Sequence, residues 1–148
     1  MDERDFSKDV ILNRHKLDIE CEKHSGIYHY YCDNLSTAKN ELDEEKDKLS
    51  FMESELEINL RRNPPEDFKV TESAIKAYLG SNKVLEKQRQ KINEIKKTIY
   101  HFEAAVRAMD HKKSMIGHLV NLFAMKYYSE PKIGNEIDDK IRDKLRRK

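Results

Sequence analysis

The sequence predicts an all-α protein: a long antiparallel helical hairpin, coiled-coil-like, with a short C-terminal helical tail, and oligomerising. Three observations carry that expectation. Two stretches repeat apolar residues every 3.5 positions, consecutive prolines separate them, and the chain is too polar to fill a compact globule. Of its 148 residues 39% are charged and none is Trp. So little apolar material closes a fold when long helices each bury a narrow stripe.

The first repeat starts at Leu17. Steps of four and three read Leu17, Cys21, His24, Tyr28, Tyr31, Leu35, Ala38, Leu42, Glu45, Leu49, Met52 and Leu56. From Leu85 the same steps give Gln88, Ile92, Ile95, Ile99, Phe102, Val106, Met109, Lys113, Ile116, Val120, Phe123 and Tyr127. Sustained over several heptads, such a repeat places one edge of each helix on a shared seam.

Between them, Asn63-Pro64-Pro65 stops the first helix, because two backbone donors are lost and Asn63 is pushed out of the α region. Thr71 then caps a new helix whose first turn holds Glu72 and Ser73. Gly80-Ser81-Asn82 is a place for that helix to loosen or split, and Ser129-Glu130-Pro131 with Gly134-Asn135 ends it. The expected organisation is one helical domain over 1–148: first arm about 5–62, turn 63–70, second arm about 71–128, tail 129–148. A tight turn centred near residue 65 sets Tyr28 and Tyr31 opposite Phe102 and Ile99.

Surplus apolar residues lie away from the turn, in Val10-Ile11-Leu12 and in Leu119, Val120, Leu122 and Phe123. One partner helix cannot cover so many faces, so these residues predict an oligomerisation surface.

The net charge of +1 conceals an asymmetry. Residues 1–60 carry 16 Asp and Glu against 8 Lys and Arg, and residues 61–148 carry the other 12 acids against 21 bases. An acidic arm beside a basic one favours antiparallel pairing and also leaves a basic face for a polyanion. No apolar run is long enough to cross a membrane, and the N-terminus lacks the apolar stretch of a secretory signal. Cys21 and Cys32, eleven residues apart on one helix, stand about 16 Å apart along its axis and cannot bridge within it. Reduced thiols in a soluble cytoplasmic protein are expected.

Catalysis finds no footing, and neither a cofactor nor a metal is expected. Six histidines are scattered along the arms, and only Cys21 and His24 share a ligand-like spacing where zinc needs three or four donors. Gly80-Ser81-Asn82-Lys83 lacks the spacing and the strand of a phosphate loop. The many carboxylates read as solvated helix faces. The protein is therefore expected not to be an enzyme.

Nucleic-acid binding is the chemistry the charge permits. Arg61 and Arg62 close the first helix, and Lys69, Lys76, Lys83, Lys87, Arg89 and Lys91 follow, a basic zone at and beyond the turn. Phe68, Tyr78 and Tyr100 are rings available to stack on bases. Arg107 with His111, Lys112 and Lys113, and the tail bases Arg142, Lys144, Arg146, Arg147 and Lys148, are competing clusters. Repeated around a ring of subunits, weak phosphate contacts would add by multivalency. The same charges would equally serve a structural coiled-coil assembly or scaffolding protein of a phage.

Several segments taken in order resemble the UvsY-type recombination mediators of T4-like tailed phages. They are Lys16-Leu17-Asp18-Ile19-Glu20, the pair Tyr28 and Tyr31, Leu35 with Lys39, the turn closed by Asp67-Phe68, and Lys69-Val70-Thr71-Glu72-Ser73-Ala74-Ile75. Ala104-Ala105-Val106-Arg107-Ala108-Met109, Lys112-Lys113 and the apolar stretch from Ile116 to Phe123 complete a likeness running from about Asp9 to Met125. The resemblance implies a ring-like homo-oligomer, hexameric or heptameric, in the host cytoplasm. It implies binding to single-stranded DNA together with a single-strand-binding protein and a RecA-like recombinase. Such a mediator helps the recombinase displace the single-strand-binding protein and hydrolyses nothing itself. One departure stands out: the family has bases in the last turns of the first helix, where this chain has Glu53, Glu55 and Glu57. The position of the DNA contact is thereby left open among the turn, Arg107–Lys113 and the tail.

Overall fold

The computed structural model describes residues 4–66 and 68–127. Among them are four helices and no strand: α1 (Phe6–Val10), α2 (Leu17–Arg62), α3 (Glu72–Ser81) and α4 (Lys83–Ala124). The expected helical tail at 129–148 lies outside the described residues. The described residues form two compact units, one of residues 4–24 with 111–127 and the other within 25–110.

Each boundary has a local cause. The Asp5 carboxylate accepts from Ser7 N and starts α1. Thr71 Oγ1 accepts from Ala74 N at 3.2 Å and starts α3, as the sequence predicts. Asn82 leaves helical geometry, and its side-chain oxygen accepts from Val84 N and Leu85 N, which begins α4. The second arm is thus two helices divided by a cap. α2 stops at Arg62, one residue before Asn63-Pro64-Pro65. α4 stops at Ala124, short of Pro131, because Lys126 takes a positive φ of 58°. Tyr127 N then donates to Leu122 O and Lys126 N to Phe123 O, the closing pattern that satisfies the last carbonyls.

In the unit of residues 25–110, α2 and α4 pack antiparallel. Ile27 and Tyr31 form a buried cluster with Ala105 and Met109, with Phe102 and Val106 packed on it. Nearer the turn, Ala38 clusters with Ile95 and Ile99, flanked by Leu35, Leu42 and Phe102. Beyond them Glu45 meets Gln88 and Lys91, and Glu53 meets Arg89. Ile75 and Leu85 are fully buried.

The register differs from that of a tight turn. Tyr31 clusters with Ala105 and Met109, about one heptad further along α4 than the Ile99 a tight turn sets opposite it, because α3 lengthens the connection and moves its midpoint beyond residue 65. A heptad shift returns the same edge of each helix to the seam, so the seam survives the change. Glu45 explains why the longer register holds. The tight turn would set its carboxylate opposite Leu85, whereas the observed pairing supplies Gln88 and Lys91.

In the other unit the seam residue is Lys112, not Lys113. Lys112 is buried; its ammonium donates to Asp9 O at 2.8 Å and Ile11 O at 2.9 Å and pairs with Glu20 at 2.8 Å. It holds the carbonyls at the end of α1, where a cation is favoured. The face of α4 that is buried here is set by α1 and the residues after it rather than by the repeat. Lys113 and Cys21, both on the predicted seam, are exposed.

Candidate nucleic-acid interface

The basic zone is built from the end of α2, the connection, α3 and the first turns of α4, all within one unit. Arg61 and Arg89 are engaged there. The Arg61 guanidinium lies 2.7 Å from Glu57 and also pairs with Glu72 in the first turn of α3. Glu72 first and Glu57 second raise its pKa, and Arg61 in turn holds the Glu72 carboxyl below the ordinary carboxylate value. Arg61 is a strut between the end of α2 and the start of α3. Arg89 reaches across the seam to Glu53 at 2.8 Å.

The acids in the last turns of α2 thereby acquire a physical role. Glu53 and Glu57 take up two of the bases at this end. The spacing of Glu57 and Arg61, four residues apart with the acid first, was a visible signal that Arg61 is paired.

Arg62, Lys69, Lys76, Lys83 and Lys87 are exposed, and among the described residues none of them has an acid within ion-pair distance. Arg62 is the last residue of α2, Lys69 lies in the connection, Lys76 on α3, and Lys83 and Lys87 one turn apart at the start of α4. Arg61, Arg89 and Lys91 are paired, and of the other five Lys76 feels an acid nearby, Glu72 one turn before it. Of the candidate stacking rings, Phe68 and Tyr78 pack edge to face with centroids 5.9 Å apart, while Tyr100 stands exposed. In the competing cluster Lys112 is committed inside its unit; Arg107, His111 and Lys113 are exposed. The tail bases lie outside the described residues.

Of the residues expected to oligomerise, Val10, Ile11, Val120 and Phe123 are exposed, and Leu12, Leu119 and Leu122 are half-buried. Among the described residues no three His, Cys, Asp or Glu side chains converge as a metal site, and no helix is long and apolar enough to cross a membrane.

Sequence reasoning missed the Glu45 centre. Its carboxylate is buried and accepts from Lys48 Nζ at 2.7 Å, Gln88 Nε2 at 2.7 Å and Lys91 Nζ at 2.9 Å. Those bonds, Lys48 first, lower its pKa from 4.5 to about 2. Its place on an otherwise apolar repeat was the available signal.

No family model matches the sequence, and no curated protein matches it. Solved structures do match. Two crystal structures of the bacteriophage T4 recombination mediator protein UvsY align with TM-scores of 0.69 and 0.68, at 17% and 16% identity. They cover 82% of this chain and 95% and 92% of their own. The chain has the UvsY fold. The resemblance read from the sequence is borne out at the level of the backbone. The alignment takes in nearly all of the UvsY chain.

Proposed function

We propose that the protein is a single-stranded-DNA-binding recombination mediator, which helps load a RecA-like recombinase onto DNA covered by single-strand-binding protein. The observation that carries this reading is the fold shared with UvsY over almost the whole of that protein. The exposed bases at the connection and beyond give it a chemical basis, since among the described residues Arg62, Lys69, Lys76, Lys83 and Lys87 have no acid within ion-pair distance and can each turn to a phosphate. Each contact is weak. A homo-oligomeric ring, hexameric or heptameric, built through Val10, Ile11, Leu12, Leu119, Val120, Leu122 and Phe123, repeats them around one strand and converts weak contacts into avidity. Phosphate contacts of this kind carry no sequence preference, as a mediator acting along any strand requires.

The second reading, a structural coiled-coil protein of a phage, is favoured by the cross-seam pairs of Glu45 with Lys91, Glu53 with Arg89 and Lys39 with Glu103. They show charge engaged in pairing arms. The two readings part in one assay: DNA-dependent ATP hydrolysis by a RecA-like recombinase on single strands precoated with single-strand-binding protein. A mediator shortens the lag before hydrolysis, and the triple variant Arg62→Glu, Lys83→Glu, Lys87→Glu loses that effect. A structural protein leaves the lag unchanged.

A further inference from the structure

Two large aromatic residues of the unit of residues 25–110 are about two-thirds exposed, Phe51 on α2 at 64% and Tyr100 on α4 at 67%. Their electrostatic frames are opposite. Phe51 has Asp47 one turn before it and Glu55 one turn after, and the ammonium of neighbouring Lys48 is bound to Glu45. A phosphate approaching that ring would be repelled.

Tyr100 has Lys96 and Lys97 in the turn before it, Glu103 and Ala104 in the turn after and Arg107 one turn further on; the Glu103 carboxylate is met by Lys39 at 3.2 Å. Spacings of three, four and seven residues put all of these on one face. Tyr100, Lys97, His101 and Ala104 line a shallow groove of about 270 Å³. Ala104 is too small to cover the ring. The nearby acids restrain the bases only loosely: Lys97 pairs with Glu94 with both side chains exposed, and the exposed Arg107 stands 3.8 Å from the half-buried Glu103, at the far limit of an ion pair. Exposed pairs of this kind exchange readily for a phosphate. Lys96 is exposed and, among the described residues, has no acid within ion-pair distance.

We propose that Tyr100 is a stacking platform for an unpaired nucleobase, with Lys96, Lys97 and Arg107 meeting the phosphates on either side. It is a contact along the outer face of α4, additional to the basic connection, and it rests on the single-stranded-DNA reading above. From Lys96 to Arg107 the face runs about 16 Å. A ring offers every base the same π surface, so the contact adds affinity without sequence preference. It also selects unpaired strands, because bases within a duplex have no free face to stack.

The chain contains no Trp, so Tyr100→Trp introduces a single reporter at the site. The full-length variant is titrated with an end-labelled oligothymidylate while label anisotropy and Trp emission are read together. The expected result is Trp quenching that saturates in step with the anisotropy rise, and much weaker quenching by a duplex of equal length. Tyr100→Ala weakens binding about tenfold, and Tyr100→Phe, which keeps the ring, binds as the parent does. A normal anisotropy rise with unchanged Trp emission and an unimpaired Tyr100→Ala overturns the platform and leaves the DNA-binding reading standing. Trp emission that responds to the recombinase or the single-strand-binding protein but not to DNA makes this a protein contact and also overturns it. No anisotropy rise with the parent protein removes the DNA-binding reading and the platform with it.

Discussion

The seam between α2 and α4 is built in two ways. Around Tyr31 it is apolar, with Ile27, Ala105 and Met109 packed together and out of water. Around Glu45 it is polar, a buried carboxylate held by Lys48, Gln88 and Lys91. Apolar layers supply stability but tolerate sliding, since a shift of one heptad replaces one Ile by another. The polar layer does not tolerate it, since the same shift strands a carboxylate opposite Leu85. The contrast teaches that the two ends of one seam divide the labour between holding the helices together and fixing where they meet, a registering role known for buried polar groups in coiled coils.

The largest expected effect lies in the apolar layer. Met109 is fully buried, so Met109→Ala removes its packing and leaves a cavity, costing about 2–5 kcal/mol in urea unfolding. Ala substitution at exposed Lys97 is expected to leave the midpoint almost unchanged.

A smaller and pH-dependent effect belongs to the polar layer. The Glu45 carboxyl is lowered to about 2 from 4.5 by Lys48, Gln88 and Lys91. A carboxyl with a depressed folded-state pKa stabilises fully above its unfolded value and loses that contribution as pH falls through the folded one. The melting temperature of the parent protein should therefore fall between about pH 4.5 and pH 2 partly on account of Glu45. Glu45→Gln should melt lower at neutral pH and show a shallower decline across that acid window. Parallel declines in the two proteins would contradict the assigned role.

The smallest effect is expected at Arg61, an exposed strut between Glu57 and Glu72. Arg61→Ala should shift melting only slightly, and it should weaken DNA binding less than Arg62→Ala, because the Arg61 charge is already neutralised. Equal losses of affinity for the two variants would place Arg61 on the DNA after all.

The hairpin was legible in the sequence because its causes are local or periodic. A stripe every 3.5 residues, two prolines and a Thr cap each act within a few residues of where they are read. The register was not legible, since it depends on α3 lengthening the connection and on a cross-seam partner for Glu45 more than forty residues away. Lys112 was misplaced for a similar reason: its carbonyl partners at Asp9 and Ile11 are some hundred residues distant. At the candidate interface the positions of the bases were readable. Which of them are neutralised was only half readable, because Glu57 lies one turn from Arg61 whereas Glu53 reaches Arg89 across the seam.

Binding of the full-length protein to a labelled single strand over a series of salt concentrations tests the central claim most directly. If Arg62, Lys69, Lys76, Lys83 and Lys87 meet phosphates, affinity should fall linearly on logarithmic axes with a slope of about −3.5 per protomer engaged, and should vary little with base sequence. Absence of binding at low salt, or binding indifferent to salt, would contradict it.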